Sequence, residues 1–182
     1  MVINSAAVFL DRDGVINEPI ILAGKPFSPR HRDHFFIFPE IADKLRALHF
    51  SGWKIIVVSN QPDVSRGKMK EEELDWMSEQ MRIRLPLDAI KICRHDERDN
   101  CDCRKPKSGL ITEAIEEFTL DPSKCFFVGD RFSDVLAARG AGIEPLFVDN
   151  NYAETPAEIY CRKFSNSALA LDYILQEYID AD

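Results

Sequence analysis

Several small groups of side chains in this 182-residue chain could do chemistry, and they lie far apart in sequence. Asp11-Arg12-Asp13-Gly14 comes first: in an extended segment, two carboxylates two residues apart project to the same side. Carboxylates held that close repel unless a cation lies beside them or one keeps a proton. Either condition suits phosphoryl transfer, where a divalent cation neutralises charge and a carboxyl supplies a proton. A calcium loop is excluded, because its twelfth position would be Leu22 where an acidic ligand is required.

Three further segments carry complementary groups. Ser59-Asn60-Gln61 offers a hydroxyl and backbone N–H groups to phosphoryl oxygens, with Asn60 expected to orient the substrate. In Arg104-Lys105-Pro106-Lys107, Lys105 can hold two anions together, Arg104 can fork onto a phosphate, and Lys107 reads as surface charge. Gly129-Asp130 offers a carboxylate for a hard cation, and Asp134 is expected behind it, hydrogen-bonded to Lys105. Separately, Cys93, His95, Cys101 and Cys103 supply three sulfurs and one imidazole across a polar loop. Four such ligands and no vacant position describe a closed, structural Zn²⁺ site. Because Cys103 nearly abuts Lys105, fixing that loop would also fix the lysine.

Elements that could position these groups are legible around them. Ala6–Leu10 and Ile55–Val58 are continuous apolar runs that suit strands buried on both faces, and Ala89–Cys93, Cys125–Val128 and Pro145–Val148 read as further strands. Helices are expected over Pro39–Phe50, Glu71–Leu85, Lys107–Phe118, Ser133–Arg139 and Ser167–Tyr178. Pro39 and Pro106 are placed in first turns, and Leu169, Leu171, Ile174 and Leu175 form the last helix's apolar stripe. Strand–helix alternation predicts an α/β fold with a doubly wound parallel sheet. Ligands then bind beyond the carboxyl ends of the strands, where Asp11, Ser59, Cys93 and Asp130 fall. Residues 14–38 read as a flap over the site.

With those motifs in order, the chain resembles the haloacid dehalogenase superfamily, Phe9-Leu10-Asp11-Arg12-Asp13-Gly14-Val15-Ile16-Asn17 matching its first motif. Within it, the chain is similar to small phosphatases of histidinol phosphate and of D-glycero-D-manno-heptose 1,7-bisphosphate, over about residues 6–149. The resemblance implies a HAD-like fold without a large cap, Asp11 as nucleophile and Asp13 as general acid/base. It also implies Mg²⁺ on Asp11, the Asp13 carbonyl and Asp130, with Ser59 and Lys105 on the phosphate. Substrate cues divide. Val64-Ser65-Arg66-Gly67 and Gly109 lean to the heptose branch, while the five-residue gap from His95 to Cys101 resembles the histidinol branch. Pro62-Asp63 stands where Ser-Gly is usual. The expected substrate is a small phosphate ester, heptose bisphosphate before histidinol phosphate. A non-catalytic zinc-stabilised binding module would have lost one of Asp11, Asp13, Lys105 or Asp130, and all are present.

Composition sets the outer bounds. The chain is 45% hydrophobic and 30% charged, which fits one globular domain; the resemblance implies a single HAD-like hydrolase domain over residues 1–182, with the zinc loop at about 93–103. A formal charge of −8 argues against nucleic-acid and anionic-membrane partners. No apolar run is long enough to span a bilayer. Met1–Leu10 lacks a basic flank, so no signal peptide is read and a cytoplasmic setting is expected. No obligate protein partner is predicted.

Overall fold

The computed structural model describes residues 5–153, 155 and 160–179; the first four residues of the segment inspected for a signal lie outside that range. β1 (Ser5–Leu10) shows why the fold forms: its four last side chains are buried, and they alternate between two cores. Val8 and Leu10 face one side, Ala7 and Phe9 the other. Strands β4 (Lys54–Asn60) and β6 (Leu120–Gly129) flank it in parallel. β5 (Ala89–Cys93), β7 (Glu144–Val148) and β8 (Arg162–Phe164) complete a six-stranded sheet in the order β5-β4-β1-β6-β7-β8.

Helices α1 (Ile41–Phe50), α2 (Glu71–Arg84) and α5 (Ser167–Tyr178) pack on one face, through Leu45, Met77 and Leu171 among others. α3 (Gly109–Phe118) and α4 (Phe132–Gly140) cover the other face through Ile111, Ala114 and Ala137. Helices on both faces of a parallel sheet make the doubly wound α/β fold. Burying one side chain the size of Leu45 contributes about 2 kcal/mol, so the sheet's core dominates the fold's stability.

The structure corrects several boundaries. Pro39 lies before α1, whose cap is Glu40. Pro106 is not the first residue of α3. Lys107 N–H closes a turn onto the Arg104 carbonyl, and the helix starts only where Ile111 and Thr112 bond back to Ser108. β6 begins five residues earlier than its apolar run, and its pairing shifts register between Leu120 and Cys125, opposite Ser5 and Ala7. On α5 the small residues Ala168 and Ala170 are buried and Leu169 is exposed, since α5 turns a narrow face to the sheet. Within the flap, β2 (Ile20–Leu22) and β3 (Lys25–Phe27) form an antiparallel hairpin that the sequence did not announce. Short β8 was missed as well.

Candidate active site

The strand ends meet as parallel-sheet geometry requires. Asp11 follows β1 and continues its ladder by donating N–H to the Val128 carbonyl at 3.0 Å. Lys105, from the turn before α3, is buried with its ammonium 2.9 Å from Asp11 and 2.8 Å from Asp134. Its third hydrogen reaches the Val58 carbonyl at 2.8 Å, so all three are engaged. Burial would lower the lysine's pKa, but Asp11 and Asp134 outweigh it and hold the ammonium charged. Burial, with Asp134 and Asp13 adding to it against the pull of Lys105, lifts Asp11 to about 6. Asp130 is raised well above the usual carboxylate range, by burial and then by Asp11 and Asp134.

Asp11, Asp130 and Asp134 each offer an oxygen within 4.8 Å of the others. One lysine leaves the three carboxylates with surplus negative charge. Asp134 is committed elsewhere, to Lys105 through Oδ1 and to the Arg131 N–H through Oδ2. Asp130 is not: its Oδ1 is buried and has no hydrogen-bond partner among the described residues. An orphaned carboxylate oxygen beside a second buried carboxylate fits a hard divalent cation, which takes oxygen ligands. The donor set is therefore suited to Mg²⁺.

Asp13 is held differently from Asp11. It shares the cavity with Asp11, but its nearest groups are donors. Fully buried Arg12 grips it through Nε and Nη2 at 2.9–3.1 Å, and Asn17, Ser28 and Gln61 donate at 3.0, 2.7 and 2.9 Å. Burial favours a neutral carboxyl, yet Arg12 and these hydrogen bonds hold its pKa below the usual value. Gly14 turns the chain at φ 85°, and a Cβ there would lie 1.8 Å from Asp130 Oδ2. Only glycine allows that approach.

Other expected contacts are redistributed. Ser59 is buried beneath the cavity, its hydroxyl accepting from Gln61 at 2.9 Å. Asn60 exchanges two hydrogen bonds with the Lys105 backbone, at 3.0 and 3.1 Å, so it orients the lysine's turn. Arg104 lines the cavity and reaches the His95 carbonyl at 3.4 Å. Lys107 is exposed, as expected of surface charge, and there it donates to Asn100 and Asp102. Arg66 forks onto Asp96 at 2.7 Å twice. Arg12, Asn17 and Ser28 were missed by sequence reasoning. The available signal was a charged residue and an amide set directly after a buried strand.

Cys93, His95, Cys101 and Cys103 converge at the end of β5. Their sulfurs are 3.3–3.7 Å apart, and His95 Nδ1 lies 3.2 Å from Cys103 and 3.7 Å from Cys93. With Zn–S near 2.3 Å, the edges of a tetrahedral site are about 3.8 Å, and the four atoms approach that figure. This loop and the flap border a cavity of about 600 Å³ whose floor holds Asp11 and Lys105 and whose rim carries Lys25, Arg66, Arg104 and Lys107. Its size suits a small metabolite.

A cavity at the carboxyl edge of a doubly wound sheet, floored by buried carboxylates and a lysine, defines an α/β enzyme built for anionic substrates. Residues 28–142 match the family model described as haloacid dehalogenase-like hydrolase. The D-glycero-beta-D-manno-heptose-1,7-bisphosphate 7-phosphatase of Haemophilus influenzae is 33% identical over 150 residues, 76% of this chain and 78% of that protein. The protein of the same description from Helicobacter pylori is 32% identical over 166 residues, 87% and 92% of the two chains. Among solved structures, the D,D-heptose 1.7-bisphosphate phosphatase of B. bronchiseptica, complexed with magnesium and phosphate, superposes with a TM-score of 0.79. It is 25% identical, over 94% of this chain and 99% of that one. The chain belongs to the haloacid dehalogenase-like hydrolases, and within them it is a phosphatase.

Proposed function

We propose that the protein is a D-glycero-D-manno-heptose 1,7-bisphosphate 7-phosphatase, a single catalytic domain that works through Asp11. The observation that carries this reading is the Asp11–Lys105–Asp134 ion-pair cluster beside the unpartnered Asp130 oxygen, at the floor of a cation-rimmed cavity. The curated relatives' shared description supports the substrate, as does a rim whose cations suit a second phosphate. The five-residue gap from His95 to Cys101 is the cue toward the histidinol phosphate alternative, and the curated relatives' shared description outweighs it.

Asp11, the Asp13 carbonyl and Asp130 would hold Mg²⁺, which when bound neutralises charge on the phosphate and the nucleophile. Lys105 keeps Asp11 ionised and aimed. The Asp11 carboxylate attacks phosphorus, the bond to the sugar oxygen breaks, and protonated Asp13 gives that oxygen its proton. Asp13 then takes a proton from water, whose oxygen attacks the aspartyl-phosphate and frees Asp11. To act, Asp13 must loosen the grip of Arg12 and the three neutral donors. Ser59 and Arg104 belong to the phosphate-binding set in this scheme, Ser59 after a shift from Gln61. Cys93, His95, Cys101 and Cys103 would hold Zn²⁺ as a structural ion, and their free thiols suit the reducing cytoplasm.

Phosphate release from a panel of esters tests the reading. We expect heptose 1,7-bisphosphate to be turned over with the highest kcat/KM, with Mg²⁺ required, and Asp11→Asn to lose at least about 1,000-fold. Greater turnover of histidinol phosphate would overturn the substrate assignment. Substantial activity of Asp11→Asn would exclude the covalent route.

A further inference from the structure

Asp130 has one committed oxygen and one orphan, and the commitment comes from outside every motif. Its Oδ2 accepts from the Tyr152 hydroxyl at 2.6 Å and lies 3.3 Å from Asn150 Nδ2. Tyr152 is buried. Asn150 Nδ2 also lies 2.9 Å from the Tyr152 oxygen and 3.1 Å from the Gly14 carbonyl. With its own oxygen approached by the amide, the phenol's hydrogen is directed to the carboxylate. The pair also stands against the Asp-x-Asp turn, for a Cβ on Gly14 would lie 2.7 Å from the Tyr152 oxygen. The loop after β7 therefore touches both Asp130 and the backbone that follows Asp13.

The same loop reaches the flap. Ala153 donates its N–H to the Gly24 carbonyl at 2.9 Å, in the turn between β2 and β3. Between Asn150 and Ala153, four consecutive positions link the flap's turn to the carboxylate.

We propose that Tyr152, oriented by Asn150, is the positioning residue for Asp130: it occupies Oδ2 so that Oδ1 is presented to the divalent cation. The inference rests on the proposed reading of Asp130 as a cation ligand. Partners that orient ligating carboxylates are worth about 10- to 100-fold in metal affinity, so the role is measurable apart from turnover. Tyr152 touches neither cation nor substrate in this assignment; it acts through Asp130.

The test is Mg²⁺ binding to the full-length protein by isothermal titration calorimetry, for wild type, Tyr152→Phe, Asn150→Ala and Asp130→Asn. Tyr152→Phe keeps the ring and its packing, and melting in EDTA checks that the fold survives. We expect Tyr152→Phe to weaken Mg²⁺ binding about 10-fold, with Asn150→Ala in the same direction. The Mg²⁺ concentration for half-maximal activity should rise in parallel, while kcat at saturating Mg²⁺ changes less than about twofold. Unchanged Mg²⁺ affinity in both loop variants, with Asp130→Asn defective, would overturn the role of Tyr152 and leave that of Asp130 standing. Unchanged affinity in Asp130→Asn as well would overturn both. A loss of kcat at saturating Mg²⁺ with unaltered Mg²⁺ affinity also counts against the proposal.

Discussion

The floor of the cavity and the loop at its rim are held by opposite means. Asp11, Lys105 and Asp134 are buried just past β1, in the turn before α3 and in the first turn of α4, and their charges compensate one another out of water. Residues 94–102 lie almost wholly outside the core; only Cys93, Cys101 and Cys103 join the apolar cluster under them. What shapes this loop is the thiol–imidazole cluster, the Arg66–Asp96 fork and the contacts of Lys107 with Asn100 and Asp102. A single chain thus uses burial to fix the carboxylates and lysine of the floor, and a thiol–imidazole cluster with surface ion pairs to fix the loop at the rim. The first kind is costly to disturb and the second is exchangeable.

Breaking the floor should have the largest effect. Lys105→Met leaves Asp11 and Asp134 facing each other without their cation, and loss of one partner from a buried pair costs about 3 kcal/mol. Urea denaturation should show that loss, together with abolished turnover; a stability equal to wild type would mean the cluster contributes nothing to the fold. Cys101→Ser strikes the rim instead. Activity should fall at least about tenfold as the loop loosens beside Lys105, while the sheet's thermal transition barely moves. Hydrogen exchange should rise over residues 93–104 and not in β1 or β4. Full activity in a demonstrably zinc-free protein would separate the metal from catalysis. Asp96→Asn is the mildest case. It removes one of the two carboxylates paired with Arg66 and leaves Asp63 at 3.7 Å, so KM should change about twofold with kcat and melting temperature intact.

The same division explains what the sequence made legible. Buried strands announce themselves by uninterrupted apolar runs, so β1, β4 and β5 and the residues at their ends were readable to within a residue or two. Cys93, His95, Cys101 and Cys103 were readable because few other roles suit that spacing. Asp134 was expected on Lys105 and stands 2.8 Å from it. The hairpin of β2 and β3 was not legible: two three-residue strands, one containing Pro26, carry too little alternation, and they are held by pairing with each other and by bonds from Arg131 and Ala153 to the Pro26 and Gly24 carbonyls. The start of β6 was hidden by Pro122 and Lys124, which fall where its pairing with β1 shifts register. The donors around Asp13 escaped for another reason. Arg12 and Asn17 are polar residues that a linear reading assigns to solvent, and burial becomes evident only once Phe35 and Met77 close over Arg12. Tyr152 had no local signal at all, since its partner lies twenty-two positions earlier.

Among the described residues, the flap over Asp11 is a hairpin of two short strands. A phosphoryl group carried on that side chain would meet bulk solvent as readily as it meets another sugar hydroxyl. Moving the group to a new position on a substrate, as a mutase does, requires a lid that shuts water out while the intermediate waits. With so small an overhang, a phosphoryl group held there would be surrendered to water and not kept for return to the sugar.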